Sequence, residues 1–138
     1  MPVANLFGTS GARGLIDTEI DTKFSYKLGL ALGKYIKQGL PTQAGKALVA
    51  RDPRPGAKRL TQALIKGLTQ AGIEVENYGI LATPELTWYQ VKRGYDLGVV
   101  VTGSHLPWNM IGIIPTSADG AGITSEVGQQ ITKIFHGL

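Results

Sequence analysis

The run Leu97 to Val101 (LGVVV) contains no polar side chain. A strand sends alternate side chains to opposite faces, so a stretch with nothing polar on either face suits a strand covered on both. That calls for helices above and below a sheet. Asp21 to Lys37 places Phe24, Leu28, Ala31, Leu32, Tyr35 and Ile36 on one helical face. Gly39 stops that helix and Pro41 opposes its resumption. Ala57 to Ala71 repeats the pattern with Leu60, Leu64, Gly67, Leu68 and Ala71, and Gly72 stands where a left-handed cap belongs. Thr83 and Pro84 read as the cap and first residue of a helix ending near Gly94. Glu126 to Phe135 reads as a last helix capped by Thr124 or Ser125. Between them, Lys46 to Ala50, Ile73 to Tyr78 and a short piece at Gly112 to Ile114 read as strands. The expected fold is a three-layer α/β/α domain with a mostly parallel mixed sheet.

The chain has 138 residues, the size of one domain. With 43% hydrophobic and 17% charged residues it is globular in composition. It has no cysteine, which excludes disulfides and thiolate zinc sites and permits a cytoplasmic setting. The start shows no signal-peptide pattern, and no apolar run is long enough for a bilayer. The formal charge of +4 comes from scattered Lys and Arg without a stripe or aromatic platform. That argues against nucleic acid and fits a plain surface or a domain that handles small anions.

Three segments could carry chemistry. In Gly98 to Pro107 (GVVVTGSHLP) the apolar strand runs straight into Thr102, Gly103, Ser104 and His105. Ligand sites of α/β sheets lie at the carboxyl ends of strands. Ser104 is therefore expected exposed on a tight turn, with Gly103 freeing the backbone and turn amides forming an anion-binding concavity. Such a serine can accept and return a phosphoryl group, with His105 orienting it or relaying its proton. The alternative is an ordinary Ser/His turn. In Phe7 to Gly14 (FGTSGARG), Thr9, Ser10 and Arg13 lie among three glycines, and Arg13 can reach a phosphate bidentately; the alternative is a glycine-rich turn. In Arg51-Asp52-Pro53-Arg54, Asp52 can pair with one or both arginines and hold the turn, a structural role more than a functional one. His136 lies near the end of the last helix and reads as a surface residue. No His, Asp and Glu cluster has metal-ligand spacing.

Together, in order, these segments resemble the phosphoglucomutase/phosphomannomutase (α-D-phosphohexomutase) family. FGTSGARG resembles its opening FGTxGxRG, and Ala50 to Arg54 (ARDPR) its GRDxR turn. Gly79 to Pro84 (GILATP) resembles the segment where Thr-Pro opens a helix, and Val101 to Pro107 (VTGSHLP) its phosphoserine loop, typically TASHNP. The resemblance implies the first of four domains, in the fold of that family's first domain, with the other three absent. Ser104 would be the phosphoryl carrier for hexose phosphates, interconverting 1- and 6-phosphates through a bisphosphate. His105 and Arg13 would complete the catalytic set, with Thr9, Ser10, Thr102 and Gly103 around the phosphate. Magnesium would bind the phosphate on Ser104, its other ligands coming from a DGDxDR loop of the second domain that this chain does not contain. Partners would be the hexose phosphate and the remaining domains, with no nucleic acid and no membrane. The isolated domain is expected to be inactive, and the choice of sugar to lie in the other domains. Leu106, Ile111 and Ile114 replace the family's Asn, Asn and Lys, so Leu106, Trp108, Met110 and Ile111 could form a contact surface instead. The competing reading is a stand-alone, non-catalytic domain that binds phosphate ligands or a partner.

Overall fold

The structure is a computed structural model that describes residues 6–7, 11–40, 42 and 45–138. Thr9 and Ser10 lie outside the described residues. The elements are β1 (Ala12–Leu15), α1 (Thr22–Gly39), β2 (Lys46–Arg51), α2 (Ala57–Gln70), β3 (Glu74–Ile80), α3 (Thr83–Arg93), β4 (Leu97–Thr102), β5 (Met110–Thr116) and α4 (Ser125–His136). They form one five-stranded sheet in the order β1-β5-β4-β2-β3.

β2 pairs in parallel with β3 and β4, while β5 runs antiparallel between β4 and β1. Four strands therefore point one way and β5 alone is reversed, the mixed and mostly parallel sheet expected. β4 lies at the centre, buried along its first five residues. Val99 and Val101 face a core shared with Leu28 and Leu32 of α1, Leu60, Leu64 and Leu68 of α2, and Ile131 and Phe135 of α4. Val100 faces the opposite way, into a smaller core with Leu48, Ala50 and Leu86 of α3. Each such valine contributes roughly 1.5 kcal/mol by leaving water.

Helix ends follow local chemistry. Asp21 caps α1 by accepting from the Phe24 N–H at 2.7 Å. Thr124 caps α4 by accepting from the Val127 N–H at 3.2 Å. α3 departs from expectation by one residue. Ala82 is its cap residue, Thr83 and Pro84 are already helical, and Glu85 reaches back to accept from the Ala82 N–H at 3.1 Å.

The glycine-rich opening leads into β1, a strand its sequence does not announce. β5 runs from Met110 to Thr116, beyond the three residues anticipated. Met110 and Ile111 are added by pairing with Leu15 and Gly14 of β1, and Pro115 and Thr116 by pairing with Val99 and Gly98 of β4. Pro115 lies past the described β1 ladder and pairs with Val99 of β4. The carboxyl ends of β2, β3 and β4 come together at one end of the sheet, and the segments leaving them build the candidate site.

Candidate functional site

β4 ends at Thr102, and the chain turns sharply. The Leu106 N–H donates to the Gly103 carbonyl at 2.7 Å, closing a turn with Ser104 and His105 at its tip. Ser104 adopts φ +48°, a left-handed conformation that favours glycine and costs about 1 kcal/mol in a serine. Gly103, expected to free the backbone here, serves another purpose. A Cβ there would lie 1.8 Å from Nη1 of Arg54. Glycine is required because a guanidinium occupies the space.

That guanidinium belongs to the turn after β2. Arg54 is only 7% exposed. Its Nη1 donates to the carbonyls of Leu106 at 3.0 Å, Pro107 at 2.7 Å and Met110 at 2.8 Å. Its Nη2 lies 3.5 Å from the Ser104 carbonyl, and the Trp108 ring covers it at 5.1 Å. Asp52 faces it, with 3.6 Å between Nε and Oδ2. The Asp52 carboxylate also accepts from the N–H groups of Gly103 at 2.8 Å and Arg54 at 3.1 Å, and from the Thr102 hydroxyl at 3.1 Å. The Thr102 hydroxyl in turn accepts from the Ser104 N–H at 3.1 Å. Asp52 thus pairs with Arg54. Arg51 donates instead to the backbone carbonyl of Asp52.

Ser104 and His105 are exposed. Ser104 opens onto a cleft of about 550 Å³ walled by Thr102, Asp52, Pro53 and residues 80–84. That last wall, the Ile80 to Pro84 segment, was not among the residues singled out for the site. The available signal was its position, directly after the carboxyl end of a parallel strand.

Arg13 sits on β1, exposed. It pairs with Gly112, which pairs with Thr102 on the far side, so the three form one row across the sheet. Two strand spacings separate the Arg13 and Thr102 backbones by roughly 10 Å. The Arg13 side chain passes over Gly112, its Cγ 2.9 Å from where a Cβ would stand. Ile114, in the family's lysine position, packs partly buried against the core on the α3 side of the sheet. Ile111 is fully buried in the other core and contributes to no contact surface, correcting that expectation. Leu106 and Met110 are half-buried, and Trp108 is 67% exposed. His136 is exposed at the end of α4. Among the described residues, no three His, Asp or Glu side chains converge to hold a metal, and no helix is long and apolar enough to cross a membrane.

Comparison with known proteins gives the family of the chain. A phosphoglucosamine mutase of Rhodococcus opacus is 34% identical over 137 residues, covering 98% of this chain and 30% of that protein. A phosphoglucosamine/phosphogalactosamine mutase of Sulfurisphaera tokodaii is 35% identical over 133 residues, covering 96% and 28%. The crystal structure of a phosphoglucomutase/phosphomannomutase family protein from Burkholderia thailandensis superposes with a TM-score of 0.82 at 28% identity, covering 96% of this chain and 30% of that one. The chain thus spans under a third of the length of these relatives. The profile of phosphoglucomutase/phosphomannomutase α/β/α domain I matches residues 4–138, and the chain belongs to that family as its first domain.

Proposed function

We propose that Ser104 is the phosphoryl carrier of a hexose-phosphate mutase. The observation that carries this is a serine hydroxyl exposed at the carboxyl end of the central strand, opening onto a cleft, in a chain of the phosphohexomutase family. In the charging step, Oγ of Ser104 attacks a phosphorus of a hexose bisphosphate. The Oγ–P bond forms, the bond from phosphorus to the sugar oxygen breaks, and that oxygen takes up a proton. The serine proton passes to His105, the adjacent exposed base. The reverse step returns the phosphoryl group to either end of the sugar, which exchanges 1- and 6-phosphates. Arg13, on the same sheet face as Thr102, is placed to hold a phosphate of the substrate.

The relatives named above bring glucosamine phosphate forward as the first sugar to test. Among the described residues no carboxylates cluster and Asp52 is committed to Arg54, Thr102 and Gly103, so magnesium would be held through a phosphate on Ser104. It would neutralise charge developing on the transferring group. Ile114, in place of a lysine, removes a cation from this face and favours weak activity.

The test is incubation of the chain with glucose 1,6-bisphosphate and with its glucosamine counterpart, followed by peptide mass spectrometry. Phosphate on Ser104, absent in Ser104→Ala, supports the reading. No label, or label that survives Ser104→Ala, overturns it.

A further inference from the structure

We infer that Arg54 is a positioning residue for Ser104, acting by turning the peptide groups of the serine loop so that amide N–H groups face outward as an anion cradle. The inference rests on the carrier role of Ser104 and adds the group that shapes its surroundings.

A trans peptide unit is planar, with its C=O and N–H pointing in opposite directions. The chain has no cis peptide among the described residues. Arg54 is buried beneath the loop and draws the carbonyls of Leu106, Pro107 and Met110 inward, with the Ser104 carbonyl at the edge of reach. The N–H that shares a peptide unit with the Pro107 carbonyl belongs to Trp108. The N–H that shares one with the Ser104 carbonyl belongs to His105. Both therefore point away from Arg54, on residues that are exposed. Neither donates to any group among the described residues, whereas the neighbouring amides of Gly103, Ser104, Leu106 and Met110 all do. His105 follows the serine directly and Trp108 lies four residues on, so the serine loop carries two N–H groups without a partner among the described residues. Outward amides of this kind bind anions.

Lysine could not substitute. An ammonium is a compact point charge, whereas the guanidinium is a planar fork able to meet several carbonyls at once. The site is also built around that fork. Gly103 leaves the space that the guanidinium fills, Asp52 faces it, and Trp108 covers it. A solvated ion pair would need none of these. The left-handed Ser104 is held between two fastened points, its own N–H on Thr102 and the Leu106 carbonyl on Arg54.

The test uses inorganic phosphate as probe and backbone amide NMR of the chain as readout, which requires no turnover. The His105 and Trp108 amide signals of the unaltered chain should shift on titration and saturate. In Arg54→Lys, which keeps the charge, and in Arg54→Met, which keeps the bulk, that response should be lost while core amide signals stay in place. Absence of any shift at His105 and Trp108 in the unaltered chain overturns the inference, as does an equal shift in a folded Arg54 variant. Should both variants fail to fold, the titration of the unaltered chain still decides. Labelling of Ser104 from the bisphosphate supplies the second readout. Arg54→Lys should slow labelling at sub-saturating bisphosphate by roughly 100-fold. Phosphate response without labelling would sink the carrier role and leave the cradle standing. Labelling without a phosphate response would do the opposite.

Discussion

At the residue scale, the pairing of a buried arginine with a half-buried aspartate governs where a surface serine sits. Asp52 is committed through both carboxylate oxygens, to Gly103, Thr102 and the Arg54 backbone, and it faces the Arg54 side chain. Removing one partner leaves the other charge poorly matched. Asp52→Asn keeps the shape and loses the charge, and should cost about 2–3 kcal/mol in urea denaturation. Gly103→Ala meets the guanidinium directly, so it should destabilise by roughly 1–3 kcal/mol. The double variant Gly103→Ala with Arg54→Ala should show less than the sum of the single effects, since each removes the other's constraint. Ser104 is legible in the sequence because an apolar strand ending in Thr-Gly-Ser-His locates its own carboxyl end. The turn held by Asp52 is legible too. The carbonyls that Arg54 serves are not, because they lie 52 to 56 residues further along the chain.

At the element scale, α1 and α2 pack closely through facing glycines. A Cβ on Gly29 would lie 2.2 Å from the Leu64 carbonyl oxygen, and one on Gly67 would lie 2.1 Å from the Tyr26 carbonyl oxygen. Backbone cannot move aside as a side chain can. Gly67→Ala should therefore force the helices apart and cost about 3 kcal/mol, visible as a lowered melting temperature. Gly39, by comparison, has nothing within 4 Å of its missing Cβ, so contact does not oppose an alanine there. On the opposite side of the sheet, Tyr95 lies buried with its hydroxyl 3.4 Å from that of Tyr78. Burial pushes the Tyr95 phenol well above the ordinary tyrosine range, and Tyr78 and Glu76 reinforce the shift. The folded chain then keeps a proton that the unfolded chain releases. This contribution is complete below about pH 10 and declines above it, until the folded phenol also ionises. Tyr95→Phe should flatten the fall in urea midpoint between about pH 9 and about pH 11. Periodicity made α1, α2 and α4 legible, because each packs one face on a single core. β1 was not legible, since four residues carry too little pattern and the strand exists only against β5.

At the scale of the whole molecule, the chain spans 30% and 28% of the length of two of its relatives. The proposed nucleophile Ser104, its neighbour His105 and Arg13 are accompanied by no aspartate cluster among the described residues. We predict that the 138 residues alone give no mutase turnover on glucosamine or glucose phosphates in a coupled assay, even where Ser104 accepts phosphate. Measurable turnover by the pure chain would contradict this. The sequence by itself determined the layered architecture, because an apolar strand among one-faced helices has few ways to hide. It also determined the position of the serine, because order along the chain marks a strand's end. Only the tertiary structure decided that Gly103 is a space for Arg54, that β5 recruits β1, and that residues 80–84 wall the cleft. Those facts depend on contacts between segments distant in sequence, and no local pattern encodes which distant groups will meet.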